Sequence, residues 1–423
     1  MTLTDRPDPP VHTSSFDAAA QTPPAHTPEE YIALAEAHGA HNYHPLPIVV
    51  YRAKGSWIQD PTGKRYLDML SSYSALNQGH RHPRIIAALK AQAERVTLTS
   101  RAFHNDQLGP FLKQLTTISG FDMALPMNTG AEAVETGLKA CRKWAYEKKG
   151  VPAGKAEIIT AAGNFHGRTT TIVGFSTEAQ YQDGFGPFTP GFLTIPFGDA
   201  DALEAAITPN TAAFLVEPIQ AEGGVVMPPE DYLPRVRKIC TENNVLLFLD
   251  EIQTGLARTG KMFCFEHAGI RPDCMSLGKA LGGGVYPVSA FLADREVMDV
   301  FRPGDHGSTF GGNPLGAAVA MASLDVLLDE DLAERADRLG SSLMERLRNL
   351  SSPHVAEVRG AGLLVGVEIK ESSGTARPFC EALMERGVLC KETHEQVIRL
   401  APPLNIEEAD LDWALEQLAA VLA

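Results

Sequence analysis

Val245-Leu246-Leu247-Phe248-Leu249-Asp250 is the stretch on which the fold turns: an unbroken apolar run closed by an acid. A strand with one face in water alternates apolar and polar residues, so an unbroken run is expected where helices cover both faces. Residues 157–162, 212–216 and Cys274–Leu277 read the same way. Segments of helical period lie between these runs. After Thr129-Gly130, the residues Val134, Leu138, Cys141 and Ala145 follow at spacings of four, three and four, which is one face of a helix. Strands alternating with helices predict an α/β fold with a mostly parallel sheet.

Outward from this region the pattern changes. After about residue 320 a long helical stretch (316–328, then 332–350) leads to a strand at 362–369. A further helix, a strand at Val397–Leu400 and a last helix from about Glu407 follow. This order predicts a smaller α+β domain. At the other end, residues 1–27 are rich in Pro, Ser, Thr and Ala. They hold too little apolar surface to offset the entropy of ordering, and a disordered tail is expected. The expected division is a tail at 1–27, a segment 28–73 that joins the smaller domain, a large domain 74–315 and a C-terminal small domain 316–423. The length of 423 residues agrees with two or three domains at about 150 residues each.

Composition narrows the classes of function. Lys plus Arg number 37 against 52 Asp plus Glu, a net charge of −15, which disfavours general binding to nucleic acid or anionic membrane. Anionic ligands must therefore be met by local positive groups. No apolar run approaches the roughly 18 residues that span a bilayer, and the first residues lack a signal-peptide pattern. The six cysteines form no C-x-x-C pair, so reduced, buried thiols and a cytoplasmic location are expected. His80-Arg81-His82 offers two metal-type ligands with no third nearby and is read as packing, so no metal is expected.

In open α/β sheets, ligands bind beyond the carboxyl ends of the strands. Asn128-Thr129-Gly130-Ala131-Glu132 opens a helix whose free N–H groups could hold a phosphate; Thr129 and Glu132 also fit a simple capping box. Asp250, followed by Glu251 and Gln253, could hold a cation such as a protonated pyridine nitrogen, or form a structural ion pair. No G-x-x-x-x-G-K-[ST] loop supports a metal–nucleotide reading. Lys279 lies between an apolar strand and Gly282-Gly283-Gly284. Desolvation there would lower its pKa and make it a nucleophile toward an aldehyde; a surface lysine is the plain alternative. Phe165 could stack on a flat ring and Arg168 could bind a carboxylate, or each could pack or pair without function. Together an amine nucleophile, an acid, a phosphate cradle and an aromatic plate fit pyridoxal 5'-phosphate.

From about residue 28 to the C-terminus the chain resembles the class III aminotransferases of fold type I. The resemblance rests on His41-Asn42-Tyr43-His44-Pro45-Leu46-Pro47, Leu70-Ser71-Ser72-Tyr73-Ser74-Ala75, Val216-Glu217-Pro218-Ile219-Gln220, Asp250-Glu251-Ile252-Gln253-Thr254-Gly255 and His306-Gly307-Ser308-Thr309-Phe310, among other stretches. It implies that Lys279 joins the cofactor and then shuttles the proton, and that Asp250 pairs with the ring nitrogen. It further implies that Gln253 bonds the ring hydroxyl, Phe165 covers one ring face, and Gly130 and Ala131 bind the phosphate. Ser308 and Thr309 would reach the phosphate of a neighbouring subunit, making a homodimer with shared sites and leaving room for a higher oligomer.

Within that family the resemblance is to members that take the δ-amine of ornithine. It implies that Tyr43 and Arg168 hold the distal α-carboxylate, that Tyr73 shapes the pocket, and that Arg399 binds 2-oxoglutarate while Glu222 masks it in the other half-reaction. Two departures are visible: Ala221 and Gly223 stand where the family usually has Gly and Ala, and His166 stands where some members carry Trp. The alternatives are an acetylornithine or 4-aminobutyrate aminotransferase, an amino-acid racemase on the same scaffold, and a non-catalytic paralogue.

Overall fold

The structure, a computed structural model, describes residues 24–423. Most of the expected tail lies outside the described residues. Its last residue, Thr27, caps the helix Pro28–His38 in a capping box with Glu30. Three short strands follow, Arg52–Lys54 (β1), Trp57–Gln59 (β2) and Arg65–Asp68 (β3). Next come Met123–Met127 (β4), Glu157–Ala161 (β5), Phe192–Ile195 (β6), Thr211–Val216 (β7), Leu246–Asp250 (β8), Cys274–Leu277 (β9) and Ser289–Ala293 (β10). These seven form one sheet in the order β4-β10-β9-β8-β7-β5-β6. All neighbours from β9 to β6 are parallel, and β10 runs antiparallel to both β9 and β4.

The mostly parallel sheet read from the sequence is therefore present, and the four apolar runs are its central strands β5, β7, β8 and β9. Every residue of β7 and β8 is buried, as unbroken apolar runs require. Asp250 is the last residue of β8, one place further into the sheet than expected. The sequence reading missed β4, β6 and β10. Two of these are edge strands, and β4 carries Pro126, which an edge tolerates because a missing N–H leaves no central ladder broken.

The smaller α+β part contains Val355–Ala361 (β11), Leu364–Ile369 (β12), Val388–Leu389 (β13), Lys391–Thr393 (β14) and Val397–Leu400 (β15). One sheet has the order β11-β12-β15-β14. The other, β1-β2-β3-β13, joins the two ends of the chain through the parallel pair β3 and β13. Trp57 of β2 donates from Nε1 to Asp410 at 2.9 Å and lies 5.6 Å from the ring of Trp413, both on the last helix, Glu408–Leu422. The helix Pro314–Asp329 packs against the helices Pro83–Ala93 and Leu108–Ser119. Among the described residues, no helix is long and apolar enough to cross a membrane.

Gly137 shows how tightly the helix Gly130–Trp144 is laid on the sheet. A Cβ there would sit 2.3 Å from ring carbons of Phe248 and 2.9 Å from Phe291, two rings packed edge to face. Gly137→Ala should lower stability by about 1–3 kcal/mol or more through overpacking, read as a drop in the urea midpoint. An unchanged midpoint would show that the rings yield freely.

Candidate active site

The carboxyl ends of β5, β7, β8 and β9 come out side by side, because parallel neighbours end at the same edge of the sheet. At the end of β8, Asp250 receives His166 Nδ1 at 2.7 Å on one carboxylate oxygen. The other oxygen accepts from Ser276 Oγ at 3.0 Å and from the Ile252 N–H at 3.1 Å. Burial pulls the basicity of His166 down, but the hydrogen bond and charge of Asp250 outweigh it and the net shift is upward. His166 Nε2 is buried with no hydrogen-bond partner among the described residues. His166, seen in the sequence only as a departure from the family pattern, is set by the structure against the acid. Ser276 and Glu217 were missed as site residues, and the strand ends on which they lie were the available signal.

Lys279 follows β9 with a φ of +44°, a region that residues other than glycine enter at a cost. Burial lowers its pKa, opposed by the charges of Glu222 and Asp250. Arg399 of β15 is 1% exposed and bonds Glu222 at 2.9 Å. Burial raises the Glu222 pKa, but Arg399 and Lys279 outweigh it and hold the group below its ordinary value. Gln253 bridges the pair: its Nε2 donates to Glu222 at 3.3 Å and its Oε1 accepts from Arg399 at 3.4 Å. The Arg399 guanidinium lies over the Tyr73 ring at 4.7 Å. Tyr73 is held there by a turn in which Ser71, Ser72, Tyr73 and Ser74 all have positive φ, anchored where Asp68 accepts the N–H groups of Leu70 and Ser71.

At the helix start, Thr129 and Glu132 form the capping box that was the plain alternative. The box takes up the Glu132 N–H and leaves those of Gly130 and Ala131 at the first turn, lining a cavity of about 190 Å³ with Phe165, His166, Asp250, Gln253 and Lys279. Both readings of that motif hold together. Phe165 donates its N–H to Glu217 at 2.9 Å, and burial pushes the Glu217 carboxyl up to about 7. Phe165 and Lys279 also line a second, larger cavity of about 1110 Å³, shared with Tyr43, Tyr73, Arg168, Glu222 and Arg399. Arg168 is stacked on Tyr181 at 4.6 Å. Ser308 and Thr309 line neither cavity; Ser308 Oγ accepts from Asn128 at 2.9 Å. Glu251 is structural, accepting the N–H groups of Cys264 and Phe265, and burial raises it to about 7. His80 and His82 pair with Asp68 and Glu330.

Residues 38–422 match the family described as Aminotransferase class-III. An ornithine aminotransferase of Brevibacillus brevis is 59% identical over 391 residues, covering 92% of this chain and 97% of that protein. The solved ornithine aminotransferase of Toxoplasma gondii superposes with a TM-score of 0.93 at 46% identity, covering 94% of each chain. A solved acetylornithine aminotransferase of Elizabethkingia anophelis gives a TM-score of 0.86 at 46% identity, over 94% of this chain and 99% of that one. The chain belongs to the class III aminotransferases. It is a pyridoxal-phosphate-dependent transaminase, and the smaller cavity fits that cofactor. Helix-start N–H groups are available for a phosphate, Phe165 for a ring face, Asp250 for a ring nitrogen and Lys279 for an aldehyde.

The raised Glu217 sets a pH dependence. The folded chain holds its proton above the ordinary value of 4.5, up to about 7, so stability is full below that window and falls as pH rises through it. The fall amounts to on the order of 3 kcal/mol, and Glu251 adds one of the same sign. Glu217→Gln keeps an acceptor for Phe165 and should remove about half of the combined fall, read from urea midpoints between about pH 5 and 8. A variant with the full fall would mean that Glu217 is ionised throughout.

Proposed function

We infer that this enzyme moves the δ-amino group of L-ornithine to 2-oxoglutarate, giving glutamate 5-semialdehyde, which closes to pyrroline-5-carboxylate, and L-glutamate. The observation that carries this reading is the pair of buried Arg399 and partly buried Glu222 facing the same cavity as Lys279. An unmasked arginine beside the reacting centre would draw in the α-carboxylate of ornithine and present the wrong amine. With Glu222 on Arg399, that carboxylate goes to the far side, where Tyr43 and Arg168 hold it and Tyr73 shapes the space between. When 2-oxoglutarate enters, its own α-carboxylate takes the place of Glu222 on Arg399.

Bound pyridoxal phosphate supplies an aldehyde that takes up the amino group and a ring that stores the electron pair released at the substrate carbon. The chain supplies the rest. Lys279 would hold the cofactor through its amine and would carry the proton at the δ-carbon, a task suited to an amine of lowered basicity. Asp250, fixed by His166 and Ser276, would keep a proton on the ring nitrogen. Gln253 would bond the ring hydroxyl, Phe165 would cover one face, and the N–H groups of Gly130 and Ala131 would bind the phosphate. Ser308 and Thr309 would reach the phosphate held by a second copy of the chain, making the working form a homodimer. The division of the chain at 73/74 and 315/316 belongs to the same reading. So does a cytoplasmic location, to which six buried free thiols are suited.

The likeness to the Elizabethkingia enzyme keeps acetylornithine as the second reading, and a half-reaction titration separates the two. Amines are added singly to the cofactor-loaded protein without oxo acid, and loss of the cofactor's visible absorbance is followed. Ornithine should react on the order of 100-fold faster than acetylornithine, whose α-amine is acylated and uncharged, or than 4-aminobutyrate, which has no α-amine, since a pocket shaped by Tyr43 and Tyr73 around a free, charged α-amino-acid end rejects substrates without it. Faster reaction of acetylornithine would overturn the roles given to Tyr43, Tyr73 and Arg168.

A further inference from the structure

Arg359 lies on β11 and lines neither cavity, yet its guanidinium is aimed at the loop that carries Glu222. Nε donates to the carbonyl of Val225 at 3.0 Å, and Nη2 donates to that of Gly224 at 2.8 Å. On its other side, Nη1 binds Glu357 at 2.7 Å and also Glu368, so the charge is balanced without any acid from the loop. Only a planar fork of donors can face two carboxylates and two carbonyls at once.

The loop needs such a hold. Val225 has a φ of +52°, a genuine outlier for a β-branched residue, and Gly224 has a φ of +105°. Conformations of this kind persist where the surroundings over-determine them. Val225 is fully buried in a small apolar cluster with Ala221 and Leu364, and Thr393 Oγ1 donates to the Glu222 carbonyl at 2.6 Å. The loop is thus fastened from β11, β12 and β14, all in the sheet that also carries Arg399 on β15.

We propose that Arg359 is a positioning residue for substrate choice: it pins the strained loop 222–225 so that Glu222 lies on Arg399. The proposal rests on the reading of that pair given above. Without Arg359, two carbonyls lose their donor and Val225 relaxes toward negative φ. Glu222 then withdraws, and Arg399 stands open to any α-carboxylate. Ornithine turns to the unproductive orientation, while glutamate, which needs Arg399 free, gains.

The test compares the two amine half-reactions, with ornithine and with L-glutamate, on cofactor-loaded enzyme, and takes their rate ratio. Arg359→Met should lower the ornithine-to-glutamate ratio about tenfold or more. Arg359→Lys keeps the charge but cannot bond both carbonyls, and should lower the ratio by a smaller factor. It also decides the matter if the methionine variant does not fold. Arg348→Met removes a bond to the Val358 carbonyl on the same strand and should lower thermal stability without moving the ratio. Glu222→Ala reports on the pair itself and should lower the ratio. If it does so while both Arg359 variants keep the wild-type ratio, Arg359 has no positioning role and the masking stands. A ratio unchanged by Glu222→Ala overturns the masking, and the role of Arg359 with it. An equal shift in Arg348→Met would assign the effect to a loosened sheet and also overturn the proposal.

Discussion

Arg399 is a permanent charge shut away from water, and its bond to Glu222 is what makes that burial tolerable. Desolvating a guanidinium costs several kcal/mol, and removing its partner typically costs about 3–5 kcal/mol. The site therefore always needs a carboxylate there, but any carboxylate serves. On the proposed reading, exchange of Glu222 for the α-carboxylate of an oxo acid would replace one anion with another at nearly constant electrostatic cost. Gln253 touches both partners in the resting pair. A switch between two substrates of different shape would then need only a side chain that yields to a competing anion.

Strain is concentrated around this pair. The turn 71–74 that holds Tyr73, the start of the turn at Lys279, and Val225 behind Glu222 all have backbones in the left-handed region. For L-residues each such conformation costs roughly 1–2 kcal/mol. Tyr73, Lys279 and Glu222 all line one cavity. Asp68 anchors the first segment, and the cluster of Val225 with the Arg359 fork holds the last. The rigid sheets supply the hold that lets the turns depart from ordinary geometry.

The legible part of the chain was the part dominated by burial on two faces. Unbroken apolar runs marked β5, β7, β8 and β9, and the residues following their ends marked Asp250, Lys279 and Phe165. The missed strands have weaker signals for physical reasons. β4 carries a proline, β6 is a partly exposed edge, and β10 is an antiparallel strand that breaks the parallel run between β9 and β4. His166 and Arg359 contact Asp250 and the Val225 carbonyl respectively, and nothing in their local sequence points to those partners. The contacts of Asp250 with residue 166 and of Val225 with residue 359 come from tertiary packing alone. Glu251 shows the converse, an acid beside the site whose position suggested chemistry and whose partners are backbone N–H groups of a neighbouring turn.

The net charge of −15 makes the capture of anionic substrates a local problem, and the pairing of cations in the larger cavity shows how it is solved. Four lysines and arginines line that cavity: Arg168, Lys279, Lys391 and Arg399. Lys391 is taken up by Glu392 at 2.9 Å, and Arg399 by Glu222. Among the described residues, no acid lies within ion-pair distance of Arg168, whose guanidinium is instead stacked on Tyr181, nor of Lys279. The resting cavity thus presents one open cation at its outer wall and one amine at its inner end. On the proposed reading Lys279 is engaged with the cofactor, so Arg168 is the cation left open to a substrate carboxylate, while the Glu222 carboxylate covers Arg399. On the same reading a dicarboxylate that needs Arg399 is admitted only when Glu222 moves, so the pairing of Arg399 is what separates the two substrates.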